Sequence, residues 1–185
     1  MEMDCCSTES TDEASANMTE ALSVDPVNAP ETHDDPQHKC QTCGSASRPV
    51  TRKTILLMVK PEHFDRVAAS EYRFCPDREC RVVYFSEDGS APFMTGDLRL
   101  RVGLKERSDP ILLCYCFGLE EKDARDEIER SGASTMPQRI TALINQKMCA
   151  CPSRNPSGAC CLGEVNKTIK MLASAAGLLP TRPRR

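Results

Sequence analysis

Residues 72–85 read YRFCPDRECRVVYF, and this stretch decides the fold of the first half of the chain. Cys75 and Cys80 flank a tight loop, and the apolar residues on either side predict one strand before the loop and another after it. Upstream, Cys40 and Cys43 form a second close pair. Two turns that each deliver two thiolates suit a tetrahedral zinc ion, so the pattern predicts a structural zinc site.

The rest of the first half predicts small elements of both helix and strand. Residues 54–59 form a short apolar run that predicts a strand, and residues 61–69 place apolar side chains at helical spacing after a proline. Residues 98–102 alternate apolar and basic side chains, which predicts another strand with one face in water. We therefore expect an α+β zinc-binding module over residues 40–104, of treble-clef-like or ribbon-like form. His63 is an alternative ligand, but a lone histidine in an amphipathic stretch is more often a surface residue.

The composition favours metal ions over disulfides as the cross-links of this chain. It has 12 cysteines but only 4% aromatic residues, so a large aromatic core is not available. The first residues lack the basic and apolar segments of a secretory signal, and no apolar run is long enough to span a bilayer. We therefore expect a cytoplasmic protein without membrane insertion. In that reducing compartment cysteine pairs bind metal more often than they form disulfides, although buried thiols or a redox-active pair are alternatives.

The charges are distributed unevenly along the chain. Residues 1–39 carry ten acidic side chains and one lysine, whereas residues 40–185 carry 17 acidic and 23 basic side chains. The first segment has few large apolar residues, which predicts a disordered acidic tail. Residues 178–185 are predicted to form a short basic tail. Cys5 and Cys6 lie in the acidic tail, where they could bind a soft metal ion or be an incidental exposed pair.

The second half of the chain has six more cysteines in a helical context. Helices are predicted over residues 120–130, 136–147 and 162–176, within a second module over residues 111–177. A [2Fe–2S] cluster takes four thiolates, two for each iron. Because six cysteines are available, their spacing alone leaves open which four would serve. The candidates are Cys114, Cys116, Cys149, Cys151, Cys160 and Cys161.

Several linked motifs resemble the N-terminal half of CopZ-type copper chaperones, which joins a zinc-binding module to a [2Fe–2S] module. The motifs are FC at residues 74–75, CRVVYF at 80–85, RVGLKER at 101–107, CYC at 114–116 and NPSGACC at 155–161. The second module is also similar to the [2Fe–2S] domain of bacterioferritin-associated ferredoxins. Together the matches cover residues 40–176.

The resemblance implies two metal centres. Zinc would be held by the four cysteines of the first half, Cys40, Cys43, Cys75 and Cys80. The cluster would be held by four cysteines of the second half, Cys114, Cys116, Cys151 and Cys161, with Cys149 and Cys160 as alternates. The amides of residues 155–158 would then hydrogen-bond the cluster sulfur. The copper-carrying domain of the family, with its Met-x-Cys-x-x-Cys loop, has no counterpart in the sequence, so copper delivery itself is not predicted.

These expectations favour a redox protein over other function classes. We expect electron transfer or metal-ion reduction linked to copper or another soft metal, with a redox partner protein, a metal chaperone or a metal transporter as partner. The alternative is a metallochaperone that binds Cu⁺ or another soft metal and whose cluster is structural or sensing. Nucleic-acid binding is not expected, because the chain has no basic patch with interleaved aromatic residues and its pI is about 5.7. We find no nucleophile–base pair or phosphate-binding loop that would indicate an enzyme.

Overall fold

A computed structural model describes residues 39–178, which fold as a mixture of helices and antiparallel sheet. Apart from Lys39 and Leu178 at their edges, the two predicted tails, with Cys5 and Cys6, lie outside the described residues. The described strands are β1 (Arg48–Val50), β2 (Tyr72–Phe74), β3 (Val82–Ser86), β4 (Phe93–Met94), β5 (Leu112–Cys114) and β6 (Leu119–Glu120). The described α-helices are α1 (Arg52–Met58), α2 (Glu121–Ser131), α3 (Met136–Asn145), α4 (Cys151–Arg154) and α5 (Leu162–Ala175). Short 3₁₀ helices cover Pro61–Arg66, Thr95–Asp97 and Gly103–Lys105.

A four-stranded antiparallel sheet with the strand order β1-β2-β3-β4 organises the first half. Its centre is the β2–β3 hairpin, which confirms the two strands predicted around the cysteine loop. Strand β3 is buried along its whole length. Val83 and Tyr84 pack in the apolar core of the first half, and Val82 and Phe85 pack against its cysteines. A register shift between Val82 and Tyr84 accompanies this division.

The strand predicted over residues 54–59 is wrong, because residues 54–58 belong to helix α1 and Val59 is its C-cap. Thr51 caps the helix, and its side chain accepts a hydrogen bond from the Thr54 amide at 3.2 Å. Ile55 and Met58 lie one helical turn apart and are buried in the core, whereas Leu57 is 41% exposed. A short apolar run is compatible with either structure by its periodicity, and here the capping threonine favours the helix.

Two other expectations for the first half need correction. Residues 98–102 do not form a strand; Leu98 makes a single bridge to Val59, and no neighbouring strand extends the pairing among the described residues. The predicted alternation nevertheless persists in the side chains, since Leu98 and Val102 are buried. The helix predicted over residues 61–69 is a 3₁₀ helix that ends at Arg66.

The second half consists of the short β5–β6 hairpin and the helices that pack around it. Helices α2, α3 and α5 lie where the sequence predicts them, and Gly132 ends α2 with a positive φ of 78°. On α5, Val165 is fully buried while Ile169 and Leu172 pack against the same core. Helix α4 was not predicted, because its four residues, in a cysteine- and proline-rich segment, are too few to show a helical pattern. No helix in the described part of the chain has the length and apolar character to cross a membrane.

Specific hydrogen bonds join the two halves. The Tyr84 hydroxyl donates to the Pro156 carbonyl at 2.6 Å, and the Thr54 hydroxyl donates to the Pro152 carbonyl at 2.8 Å. The hydrogen bond between Tyr84 and Pro156 is buried, so its loss would leave a buried carbonyl without a donor and destabilise the protein. The cysteine-rich segment of the second half is therefore fixed against the sheet and helix α1 of the first half.

Candidate metal centres

The four cysteines of the first half lie together at one end of the sheet. Cys75 follows β2 and Cys80 precedes β3, while Cys40 and Cys43 lie in a turn before β1. The sulfur atoms are 4.0 Å apart for Cys40 and Cys80 and 3.6 Å apart for Cys43 and Cys75. All four sulfurs lie within 4.8 Å of one another. Metal–sulfur bonds of about 2.3 Å in a tetrahedron place sulfurs about 3.8 Å apart, so this donor set fits a zinc ion.

Backbone turns present these thiols to the shared centre. The Cys40 amide donates to the Ser45 carbonyl at 3.0 Å, and the Gly44 amide donates to the Cys40 carbonyl at 2.7 Å. Gly44 adopts a φ of 72°, a conformation that favours glycine and closes this turn. Of the four cysteines, only Cys43 is exposed.

The Cys75–Cys80 loop is held by two residues that the sequence analysis missed. The Asp77 carboxylate accepts the Cys80 amide at 3.0 Å and the Ser45 hydroxyl at 2.9 Å, so it links the two cysteine turns. The Lys105 ammonium donates to the Asp77 and Cys80 carbonyls from the other side. An aspartate shortly after a cysteine is a recognisable turn signal. The position of Lys105, 25 residues beyond Cys80 in the chain, offers no comparable signal.

The thiols of this centre differ in their tendency to ionise. Burial opposes ionisation of Cys43, but hydrogen bonds from the Ser45 side chain and backbone outweigh it and lower the pKa of Cys43 to about 7. At Cys75 burial prevails and raises the pKa well above its usual value, although the Lys105 charge opposes that increase. Metal is bound by the thiolate form, so a bound cation would offset the cost of ionising the buried thiol.

Four cysteines of the second half form another cluster, in two close pairs. The Cys116 and Cys151 sulfurs are 3.7 Å apart, and the Cys114 and Cys161 thiols hydrogen-bond each other. All four are buried in the core that the helices of this half enclose. The hydrogen bond from Cys161 lowers the pKa of Cys114 to about 6 against the opposing effect of burial.

Different elements of the second half carry these cysteines into one small core. Cys114 ends β5, Cys151 begins α4 and Cys161 immediately precedes α5. The Ala150 amide donates to the Cys116 sulfur at 3.3 Å, which supplies one backbone hydrogen bond to a thiol of the cluster. The remaining cysteines differ: Cys149 is half-buried against the same core, and Cys160 is exposed.

The turn before Cys160 was expected to direct its amides to cluster sulfur, but hydrogen bonds within the turn use at least one of them. The Asn155 side chain accepts the Ser157 amide at 3.0 Å and donates to the Ala159 carbonyl at 2.7 Å, so it stabilises its own turn. Gly158 has a φ of 66° and lies against Val50, where an added Cβ would come within 3.3 Å of a Val50 methyl group. The turn therefore fixes the approach of the second half to the sheet.

His63 lies beside Asp97 and not among the cysteines. Its Nε2 atom is 3.4 Å from a carboxylate oxygen of Asp97, which also pairs with Arg66 at 3.5 Å. The cluster of four thiols in the first half is complete without it. The structure thus offers no support for His63 as an alternative zinc ligand.

The fold and the clustered thiols define a cysteine-ligated, metal-binding class of protein, and comparisons identify its family. Residues 37–99 match the zinc binding domain of CopZ-type proteins. The chain is 34% identical over 123 residues to the copper chaperone CopZ of Archaeoglobus fulgidus, covering 66% of this chain and 57% of that protein. It also resembles the X-ray structure of the Archaeoglobus fulgidus CopZ N-terminal domain, with a TM-score of 0.60 and 30% identity, over 70% of this chain and 95% of that domain.

The chain therefore belongs to the family of the zinc-binding, N-terminal region of CopZ-type copper chaperones. It spans 57% of the length of the curated relative it matches. The family assignment agrees with the resemblance inferred from the sequence motifs for the zinc-binding region. It also agrees with the soft, four-thiol donor set of the first half.

Proposed function

We propose that this protein handles soft metal ions as a metallochaperone, with zinc held by Cys40, Cys43, Cys75 and Cys80. The observation that carries the proposal is the convergence of these four sulfurs from two separate turns to within 4.8 Å. Four thiolates leave no coordination position for substrate, so the zinc would be structural. It would hold the two turns in the treble-clef-like arrangement expected from the sequence, because a bound metal adds its binding free energy to folding.

We further propose that the second half is a module similar to bacterioferritin-associated ferredoxins, with a [2Fe–2S] cluster on Cys114, Cys116, Cys151 and Cys161. A binuclear cluster needs two thiolates for each iron. The pairing of the thiols of Cys116 with Cys151 and of Cys114 with Cys161 supports such an arrangement. When bound, the cluster would supply a centre that exchanges one electron.

The residues around this second centre suit an anionic cluster. The Ala150 amide donates to the Cys116 sulfur, and hydrogen bonds of this kind stabilise negative charge on cluster ligands. The Arg154 guanidinium donates to the Cys116 carbonyl at 3.1 Å and brings a positive charge near the same ligand. Cys149 and Cys160 remain the alternate ligands in this proposal.

The cargo we propose is copper, because the relative from Archaeoglobus fulgidus is named a copper chaperone. Thiolates are the soft ligands that Cu⁺ prefers. Within this chain Cys5 and Cys6 are candidates to bind such an ion, as are the spare thiols Cys149 and Cys160. The partner would be a redox protein, a metal chaperone or a metal transporter in the cytoplasm.

A second candidate function is electron transfer or reduction of a metal ion linked to soft-metal handling. The two thiol pairs of the second half are the observation that favours it, because one-electron chemistry would use a cluster at that position. The family assignment favours the metallochaperone more strongly, since it extends to a named copper chaperone. The two functions differ in whether the second centre is reversibly reduced.

Metal and sulfide analysis of anaerobically purified protein tests both centres. We expect about one zinc, two iron and two sulfide per chain. Cys40→Ser with Cys75→Ser should remove the zinc alone, and Cys116→Ser with Cys151→Ser should remove the iron and sulfide. Cys160→Ser, which alters an exposed thiol, tests the alternate ligand set, because loss of iron in this variant would assign Cys160 to the cluster. Zinc with no iron would overturn the cluster proposal, and absence of zinc would overturn the proposal that the four cysteines of the first half hold zinc.

Copper titration and reduction of the same samples separate the two functions. Stoichiometric Cu⁺ binding that is lost when Cys5 and Cys6 are replaced by serine, with a second centre that resists reduction, would favour the metallochaperone. Reversible one-electron reduction of the second centre, with transfer of that electron from the reduced centre to added Cu²⁺, would favour the redox function. Failure of both results would contradict a role in soft-metal handling.

A further inference from the structure

The Lys105 ammonium lies directly behind the loop that presents Cys75 and Cys80. It donates hydrogen bonds to the Asp77 carbonyl at 2.7 Å and to the Cys80 carbonyl at 2.9 Å. The same ammonium lies 5.9 Å from the centre of the Phe74 ring. One cation thus holds two carbonyls of the loop, and one of these belongs to a cysteine of the four-thiol cluster.

The charge of this lysine suits the chemistry of the loop. A zinc ion with four thiolates carries a net negative charge, which a nearby cation stabilises. Residues that hydrogen-bond to metal ligands commonly fix the orientation of those ligands and tune the metal affinity.

The 3₁₀ helix that carries this lysine, Gly103–Lys105, is fixed at its other end by the second half. The Gly103 amide donates to the Tyr115 hydroxyl at 2.7 Å. Gly103 also packs so closely on β5 that an added Cβ would lie 2.0 Å from the Leu112 carbonyl oxygen. Tyr115 lies between Cys114 and Cys116 in the chain. One short turn therefore contacts Cys80 of the first group and Tyr115, which lies between two cysteines of the second group.

We propose that Lys105 is a positioning residue for the four-thiol centre and that the Gly103–Lys105 turn couples this centre to the Cys114–Cys116 segment. The inference rests on the proposed function, because it takes the four-thiol centre to be a zinc site. Lys105 orients the loop through the Asp77 and Cys80 carbonyls. Tyr115 fixes the turn from which Lys105 extends, so changes around Cys114 and Cys116 reach the zinc ligands.

Competition with a chromogenic zinc chelator tests the role of Lys105. We expect Lys105→Met to bind zinc about 10–100-fold more weakly than the unchanged protein. Lys105→Arg should recover most of the affinity. Lys122→Met is the matched control, since Lys122 is exposed on α2 and pairs with Asp126.

The outcomes separate positioning from mere structural support. A loss of affinity in Lys105→Met that arginine does not rescue would overturn the proposal, as would wild-type affinity in Lys105→Met. If the methionine variant does not fold, Lys105→Gln, which keeps hydrogen-bond donors without the charge, provides the same comparison. If the unchanged protein binds no zinc, the proposed function itself fails, which is a distinct result.

The coupling is tested by Tyr115→Phe, which removes the hydroxyl that accepts the Gly103 amide. This change is made beside Cys114 and Cys116 and alters the contact of Tyr115 with the Gly103–Lys105 turn. We expect zinc binding to weaken about 3–10-fold, which is the loss of one ordinary hydrogen bond. Unchanged zinc affinity in this variant would overturn the coupling.

Discussion

Replacement of Gly103 by alanine should destabilise the protein strongly. The added Cβ would lie 2.0 Å from the Leu112 carbonyl oxygen and 2.9 Å from its carbonyl carbon, whereas ordinary contacts begin at 3.4 Å. Both neighbours are backbone, so the turn must move away from β5. That movement breaks the 2.7 Å hydrogen bond from the Gly103 amide to the Tyr115 hydroxyl. Overpacking and the unsatisfied buried group together cost about 2–6 kcal/mol of unfolding free energy.

Unfolding followed by circular dichroism, at equal metal content, measures this cost. Gly163→Ala is the matched control, because Gly163 lies in helix α5 and an added Cβ there has no neighbour within 4 Å. The control should be as stable as the unchanged protein or gain up to about 1 kcal/mol, since alanine favours helix more than glycine does. If Gly103→Ala stayed within about 0.5 kcal/mol of the unchanged protein, the close packing of the turn on β5 would be refuted.

Three further predictions concern the join between the halves and the four-thiol centre. Tyr84→Phe should cost about 1–3 kcal/mol, because the buried Pro156 carbonyl loses its donor. It should also speed metal loss from the second half, whereas Tyr72→Phe, which loses a bond within the first half, should not. In metal-free protein, the rate of Cys43 alkylation, measured by mass spectrometry, should increase with pH and have its midpoint near pH 7, because the pKa of this thiol is lowered. Below that midpoint the thiol is protonated and the rate should be low. Zinc should suppress the reaction, and a midpoint near that of a free cysteine, about 8.5, would contradict the prediction. Asp77→Ala should weaken zinc binding about 10–100-fold in chelator competition, whereas Asp77→Asn should keep part of the affinity. Equal zinc affinity in the unchanged protein and in both variants would contradict the role of Asp77 in linking the two cysteine turns.

Much of the helical part of the fold could be predicted from local signals. Helix α5 shows an apolar face at helical spacing that includes Val165, and Gly132 marks the end of α2. The β2–β3 hairpin follows from apolar runs on both sides of a tight loop. Such signals are local, so they do not depend on what each element packs against.

The wrong predictions concern segments whose secondary structure depends on the residues and elements next to them. The apolar run that became α1 follows a threonine that caps a helix, and this cap favours the helical conformation. Leu98 and Val102 alternate as in a strand, but a strand also needs hydrogen-bonding neighbours, which the periodicity of side chains does not reveal. The two-residue strand β4 is too short to show a pattern.

The candidate sites show the same division between local and distant signals. Close spacing within Cys40–Cys43 and within Cys75–Cys80 predicts that each pair shares a turn, and the structure brings both turns to one centre. In the second half, spacing alone did not choose among six cysteines. Lys105 acts on a loop far from it in the chain, so only the folded structure reveals its contact.

X-ray absorption at the zinc edge of the purified protein tests the central claim most directly. If the four thiols of the first half bind the metal, the spectrum will show four sulfur neighbours at about 2.3 Å. Cys40→Ser with Cys75→Ser should abolish that signal, and Cys160→Ser should leave it unchanged. A first shell dominated by nitrogen or oxygen, or a four-sulfur signal that survives loss of Cys40 and Cys75, would contradict the account.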